Sequence, residues 1–431
     1  MTDHATTLAA EPTLDRQVDT IRRLVQDDAL LPLVEPVLHG ERLSFDDGLT
    51  LIESTDLLTV GRLADLRRRM LHGDEVFFNH NRHINHTNIC RIKCRFCAFS
   101  RTQETHDGAY QFSHDEMVAQ ALEAAELGVT EIHVVGGETT HVTYEWYLDL
   151  VRKMHEAVPH VHLKMWTASE IRHLGRLGGG LSDTQVLQDL ADAGLGSMPG
   201  GGAEVFSQRV RDLVCRGKDT AEEWLEVHRR AHEVGFKTNC TMLYGHVETL
   251  EERIDHLVRL RELQDESLAT RARFEATGEL PAINRKGEVG AFQCFIPLAF
   301  HPENTVFARR GWAFTAGSDD LRMVAVSRLM LDNIPNVKAY WIMISPELAQ
   351  VALHFGANDV DGTVMVERIV HMAGAKTQQE TQQEKLVDLI RGAGRIPVER
   401  DTVYNELRRW DRLDPAGQPG PIVHTATPAG A

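Results

Sequence analysis

From Glu75 onward the 431-residue chain alternates short apolar or β-branched runs with amphipathic helical stretches, and this rhythm restricts the fold more than any other feature. Strand candidates fall at residues 83–87, 131–135, 162–167, 196–198, 238–244, 293–298, 337–343 and 363–366. Parallel strands joined by crossover helices produce that pattern. Up to eight such units favour a closed α/β barrel over an open, doubly wound sheet, which is the second choice. Helix starts are legible as capping boxes at Ser113 with Glu116, Ser182 with Gln185, Thr220 with Glu223 and Thr249 with Glu252. Gly128, Gly194 and Gly235 end three helical stretches where a residue tolerating positive φ is wanted.

The flanks divide the chain further. Residues 1–74, with Leu24, Leu30, Leu31, Leu63, Leu66 and Met70, read as an N-terminal helical cap. Residues 75–370 form the barrel, and residues 267–290, with mixed charges, Gly278, Pro281 and Gly287, break its rhythm as a surface insertion. Residues 371–431 read as a C-terminal helical extension whose last dozen residues form a disordered tail.

The 46 basic residues against 63 acidic give a formal charge of −17, which repels a phosphate backbone and an anionic membrane surface; nucleic acid is not an expected partner. No run approaches the ~20 apolar residues of a membrane span, and Met1-Thr2-Asp3-His4 lacks a signal-peptide layout, so a cytoplasmic protein without membrane insertion is expected. Six cysteines are too few for a disulfide scaffold, and three of them fall within eight positions, which points to metal chemistry in a reducing compartment.

Those three are Cys90, Cys94 and Cys97, placed after the first strand, at the barrel end where such folds carry their active sites. Three soft ligands can hold three irons of a 4Fe-4S cubane and leave the fourth iron open to a ligand that is not protein. A purely electron-carrying cluster takes four cysteines, and a structural zinc takes four ligands in two pairs; no second pair is evident. Arg91, Lys93 and Arg95 moderate the negative charge of a thiolate-bound cluster, and Phe96 can shield it. Cys215, Cys240 and Cys294 read as small buried hydrophobes.

Polar groups at later strand ends complete the candidate site. Gly136 and Gly137 let backbone approach a ligand, and the Glu138 carboxylate can accept from an ammonium group. Ser169 and Glu170 end the third strand, with helix capping by Ser169 as the alternative use. Three glycines from Gly200 cost entropy on ordering and offer no packing, so close passage of a ligand explains them better than filler. Glu204 is a polar contact or a first-turn helix carboxylate. His246 and Glu248 follow the fifth strand and His301 the sixth, as candidates for catalysis or substrate contact.

The Cys-x-x-x-Cys-x-aromatic-Cys pattern at 90–97 resembles the radical S-adenosylmethionine (SAM) superfamily. Thr167-Ala168-Ser169-Glu170-Ile171, Pro199 to Glu204, Leu243 to Thr249 and Phe295 to Pro302 are similar to the aminofutalosine synthases of the futalosine route to menaquinone. The resemblance implies a radical SAM (β/α) TIM-like barrel, with a six-strand core extended here to eight. It implies a 4Fe-4S cluster on Cys90, Cys94 and Cys97, with SAM as cosubstrate. Phe96, Gly136, Gly137, Glu138, Ser169, Glu170 and Gly200 are then cofactor-binding, and His246, Glu248 and His301 catalytic or substrate-binding. The implied reaction adds the 5′-deoxyadenosyl radical to 3-[(1-carboxyvinyl)oxy]benzoate, with rearrangement and decarboxylation to 6-amino-6-deoxyfutalosine. A flavodoxin or ferredoxin would donate the electron, and an arginine together with His246 would meet the substrate carboxylates. Glu138-Thr139-Thr140-His141 departs from the Gly-Gly-Leu-His-Pro of many relatives. The neighbouring readings are a dehypoxanthine futalosine cyclase, which abstracts hydrogen, and, in another class, an iron–sulfur carrier or sensor.

Overall fold

The computed structural model describes residues 14–410; the tail expected to be disordered lies outside the described residues. The strands are β1 (Glu75–Asn79), β2 (Asn81–Ile84), β3 (Glu131–Val134), β4 (His162–Met165), β5 (Thr238–Tyr244), β6 (Phe292–Ala299), β7 (Asn336–Val337), β8 (Asp359–Gly362), β9 (Ile396–Arg400) and β10 (Glu406–Arg409).

β2, β3 and β4 are parallel neighbours, as are β5, β6 and β7. Residues 197–198 join the two groups, Ser197 pairing with Lys164 and Met198 with Thr238. Lys338 pairs with Asp359, and β8 runs parallel to β1, which continues into β2. The circuit is closed, with eight parallel strand positions when β1 and β2 count as one. The open doubly wound sheet is therefore excluded. Every residue of β5 is buried, as a parallel strand covered on both faces requires.

Three of the capping boxes form as read, at Ser113, Thr220 and Thr249. Ser182 caps the Gln185 N–H, but the Gln185 side chain turns to Asp189 at 2.7 Å. Gly128, Gly194 and Gly235 have φ of +78°, +102° and +112°, each just past the last helical turn.

Several boundaries differ from the sequence expectation. The first strand ends at Ile84, so residues 85–87 already belong to the loop that carries the cysteines. Strand β7 is only Asn336–Val337, and Trp341–Ile344 is a helical turn with Trp341 and Ile342 buried; a short apolar run does not distinguish the two states. The strand expected at residues 363–366 is replaced by Val364, Met365 and Val366 at φ of +67°, +41° and +68°.

The helix Leu250–Thr277 runs through the first part of the insertion expected at 267–290, so the irregular segment begins only at Gly278, at φ +72°. Its buried residues end at Ser267. Beyond that point the helix is solvated and carries no apolar stripe for a sequence to display.

The N-terminal helices lie on the flank of the barrel. Helix Leu57–His72 packs on helix Gly317–Met330, and helix Phe45–Glu53 packs on Leu250–Thr277. Gly48 is needed there, because a Cβ would stand 2.9 Å from Ile254 and Met330.

The C-terminal region is more than the helical extension expected. After helix Gln383–Gly392, β9 pairs in parallel with β1 and antiparallel with β10. The turn between them plugs the barrel beneath the strands' N-terminal ends. Arg400 is ion-paired with Asp359, the Tyr404 hydroxyl donates to Asp359 at 2.8 Å, and Gln293 donates to Thr402 O at 2.9 Å.

Candidate active site

The loop after β2 is tied down on every side. The Cys90 N–H donates to Arg101 O at 2.8 Å, Arg91 N–H to Glu138 O at 2.9 Å, and Arg95 N–H to Val214 O at 2.7 Å. A turn brings Cys97 N–H to Cys94 O at 3.1 Å. Cys90, Cys94 and Cys97 are partly exposed as residues, whereas Cys215, Cys240 and Cys294 are buried, as expected of small hydrophobes. Burial pushes the Cys90 thiol up and the Cys94 thiol well up. Both are therefore protonated in the bare protein, and loading with metal releases protons.

The barrel mouth opens into a cavity of about 330 Å³. Of the residues singled out from the sequence, Phe96, Cys97, Gly136, Glu170, Gly200, Gly201, Gly202, Glu204 and His301 line it. Glu170 has a double function. Its carboxylate accepts from Thr167 N–H and Oγ1, both at 2.8 Å, closing a capping box, and from Gly136 N–H at 3.0 Å. Thr167, not Ser169, is thus the helix cap. Burial pushes the Glu170 carboxyl up to about 7 in spite of these donors. Ser169 is buried beside Gly202 with no partner for its hydroxyl.

The glycines are there for clearance. A Cβ on Gly137 would stand 2.3 Å from Ile89 O, and one on Gly200 would stand 2.6 Å from Asn239 O. Gly200 thereby brings the triple-glycine loop against β5, where Thr241 Oγ1 donates to its carbonyl at 2.7 Å.

Glu138 and the His246–Glu248 pair lie off the cavity surface. Glu138 is buried against Arg91 at 3.0 Å and Arg176 at 3.3 Å, and burial pushes its carboxyl up. His246 Nδ1 is 3.0 Å from Glu248, which Arg253 also holds at 2.9 Å; the His246 ring meets Phe300 edge-on, and it is Phe300 that lines the cavity. Burial opposes ionisation of Glu248, but His246 and Arg253 hold its carboxyl far below the usual range. His301 reaches the cavity with Nδ1 unpartnered, while Nε2 bonds Met343 O at 3.0 Å.

Residues not singled out from the sequence form the floor, and one of them, Lys218, joins Glu204 on one wall. Lys164 pairs with Glu131 at 2.7 Å and Lys338 with Asp361 at 2.6 Å. His83 and His133 face each other with ring centres 4.6 Å apart, and burial keeps both neutral. Burial would raise the Glu131 carboxyl, but Lys164 brings it well below its ordinary value. On the wall, Lys218 pairs with Glu204 at 2.7 Å, and Glu204 takes φ +49°, a strained value for a residue with a side chain. Burial would lower the Lys218 ammonium; the Glu204 carboxylate outweighs it. The signal was present as polar residues alternating inside strands, Glu131 with His133 and Asn239 with Thr241.

This donor set fits a three-thiol cluster. The thiols stand on one pinned loop with Cys97 on the cavity wall and Lys218 beside Cys94.

Residues 84–260 match the radical SAM superfamily, and residues 289–412 match the CofH/MqnC C-terminal region. The aminodeoxyfutalosine synthase of Thermus thermophilus is 48% identical over 394 residues, covering 91% of this chain and 100% of that protein. The chain belongs to the aminodeoxyfutalosine synthase family of radical SAM enzymes. The family member from Streptomyces coelicolor is 41% identical over 402 residues, covering 90% of this chain and 97% of its own. A 5-amino-6-(D-ribitylamino)uracil–L-tyrosine 4-hydroxyphenyl transferase of Methanopyrus kandleri is 38% identical over 357 residues, 82% of this chain and 90% of its own. The fold is that of methylornithine synthase, at a TM-score of 0.63 and 17% identity over 84% of this chain and 96% of that one.

Proposed function

We propose that this chain makes 6-amino-6-deoxyfutalosine from SAM and 3-[(1-carboxyvinyl)oxy]benzoate, releasing methionine and bicarbonate. The observation that carries the reading is 48% identity over the whole length of an aminodeoxyfutalosine synthase, with the cysteine loop opening onto the barrel cavity. Cys90, Cys94 and Cys97 would hold the cluster, with one iron left for SAM. When bound, the cluster would supply the single electron that reductive cleavage of SAM requires, chemistry that no side chain of the cavity could perform.

The protein's own residues bind, orient and exclude. Gly136 and Gly200 leave backbone accessible on the SAM side, and Glu170 stiffens that wall by tying the end of β3 to the helix Ala168–Leu177. A dianionic substrate needs cations in a buried site, because an unpaired carboxylate there is costly. Lys164 and Lys338 on the floor supply them; among the described residues no arginine lines the cavity. The apolar wall of Leu243, Ile296, Leu298 and Phe300 receives the aryl ring and keeps water from a reactive intermediate. His246 acts as a positioning residue through Phe300.

Anaerobic reconstitution with SAM, dithionite and the carboxyvinyloxy-benzoate tests this reading by mass spectrometry. Methionine and aminodeoxyfutalosine should accumulate together in the wild type and in Cys215→Ala, and neither should form in Cys90→Ala. Formation of 5′-deoxyadenosine alone would assign the chain to a hydrogen-abstracting relative.

A further inference from the structure

The chain has a formal charge of −17, and exposed acids such as Glu104, Asp107 and Asp212 stand near the cysteine loop, yet on one side of that loop cations gather. Arg95, between Cys94 and Cys97, ties three segments together there. Its N–H donates to Val214 O at 2.7 Å, its Nη1 to Leu213 O at 3.0 Å, and its guanidinium lies 5.7 Å from the centre of the Phe307 ring. Lys93 precedes it by two residues, Arg216 follows Val214 by two, and Arg309 and Arg310 close the short turn after Phe307. These four are exposed, and among the described residues none has a carboxylate oxygen within 4.0 Å. Elsewhere on the surface Arg209, Arg229, Arg230 and Arg259 each hold a glutamate.

The same face exposes Leu213 by 40%, Val306 by 40% and Trp312 by 37%. Unpaired arginines around exposed aliphatic and indole groups are the composition of a protein interface, and the charge contrast with the rest of the chain would steer an anionic partner to this face. A small dianion entering the cavity would need the cations but not the apolar residues. The partner must also bring an electron near Cys94 and Cys97, and the patch adjoins the loop that carries them through the contacts of Arg95.

We infer that this face docks an acidic one-electron carrier protein, which is oxidised by one electron as the cluster is reduced by one. The inference rests on the cluster reading above. Its test measures the binding of a flavodoxin to the reconstituted enzyme by titration calorimetry at about 20 mM and about 300 mM salt, across which surface charges become screened. Arg309→Glu with Arg310→Glu should weaken flavodoxin binding at least tenfold at low salt, and Arg216→Glu, on a different segment, should weaken it in the same direction. Added salt should weaken wild-type binding and narrow these differences. With dithionite as reductant both variants should release methionine at the wild-type rate; with flavodoxin their KM for the carrier should rise by the factor seen in binding.

Unchanged flavodoxin binding in both variants would overturn the proposal. So would a dithionite-driven rate that falls while binding holds, which would assign the arginines to substrate capture. If the wild type turns over with neither reductant the cluster reading fails, and the calorimetry still decides the docking face by itself.

Discussion

Replacing Gly137 with alanine should disable the cluster loop without unfolding the barrel. The added Cβ would stand 2.3 Å from Ile89 O, 2.7 Å from Ile89 C and 3.1 Å from Cys90 Cβ, where ordinary contact begins near 3.4 Å. The backbone entering Cys90 must therefore retreat by about 1 Å, and neither side yields freely. Gly137 N–H is bonded to Thr87 O at 2.9 Å, and the other side is held by Cys90 N–H to Arg101 O at 2.8 Å and Arg101 N–H to Asn88 O at 2.7 Å. Overpacking of this kind costs about 1–3 kcal/mol, well within what a large barrel tolerates. A shift of about 1 Å at reacting groups, by contrast, costs on the order of 10²-fold in rate. After anaerobic reconstitution, iron and sulfide per chain should fall and methionine release should drop about 10²-fold, with far-ultraviolet circular dichroism unchanged. Gly317→Ala is the control, since its Cβ would meet only Leu348 side-chain atoms at 3.4 and 3.5 Å. Wild-type iron content and methionine release in Gly137→Ala would refute the claim that this contact sets the position of Cys90.

Other changes test the buried charges. The Glu170 carboxyl sits above its ordinary value of 4.5, so the folded chain holds the proton more tightly, and this group's contribution to stability falls as pH rises from 4.5 to about 7. In urea unfolding of the metal-free protein, Glu170→Gln should therefore gain on the wild type between pH 5 and pH 8 by on the order of 2–3 kcal/mol; a pH-independent difference would contradict the shift. Lys218→Met leaves Glu204 buried without its partner and should destabilise by about 3–5 kcal/mol, most of it restored in the double variant with Glu204→Gln. A double variant as unstable as the single one would show that packing, not charge, is at stake. Tyr404→Phe removes a hydroxyl donor 2.8 Å from the buried Asp359 carboxylate and should cost about 1.5–3 kcal/mol; an unmoved urea midpoint would mean that Arg400 alone satisfies it.

Local signals were the ones a reader of the sequence could use. A box such as Thr220 with Glu223 needs only neighbouring residues, and so does Gly235 past its helix; both appear as read. The cysteine spacing is local in the same sense. What escaped depends on contacts across the molecule. Val364, Met365 and Val366 carry a strand-like composition, but Asn81 Oδ1 accepts the Val364 N–H at 2.7 Å and His83 N–H donates to Val364 O at 2.8 Å, holding a left-handed backbone that no propensity predicts. His246 drew notice because it ends a strand, yet Glu248, itself paired with Arg253, holds it behind Phe300.

The floor of the barrel makes the same point in terms of energy. Lys164 and Lys338 can face the cavity only because Glu131 and Asp361 stand beside them, and those acids are separated from the lysines by 33 and 23 residues. A charged interior of this kind must also be sealed from below, or water would dilute the pairing that makes it tolerable. Arg400 and Tyr404 provide that seal by closing on Asp359, which itself lies 3.7 Å from Lys338. The C-terminal hairpin, read from its sequence as a helical extension, is thus structurally continuous with the floor of the cavity. A lesion there should reach the cavity through Asp359 and Lys338, although no residue of the hairpin lines it.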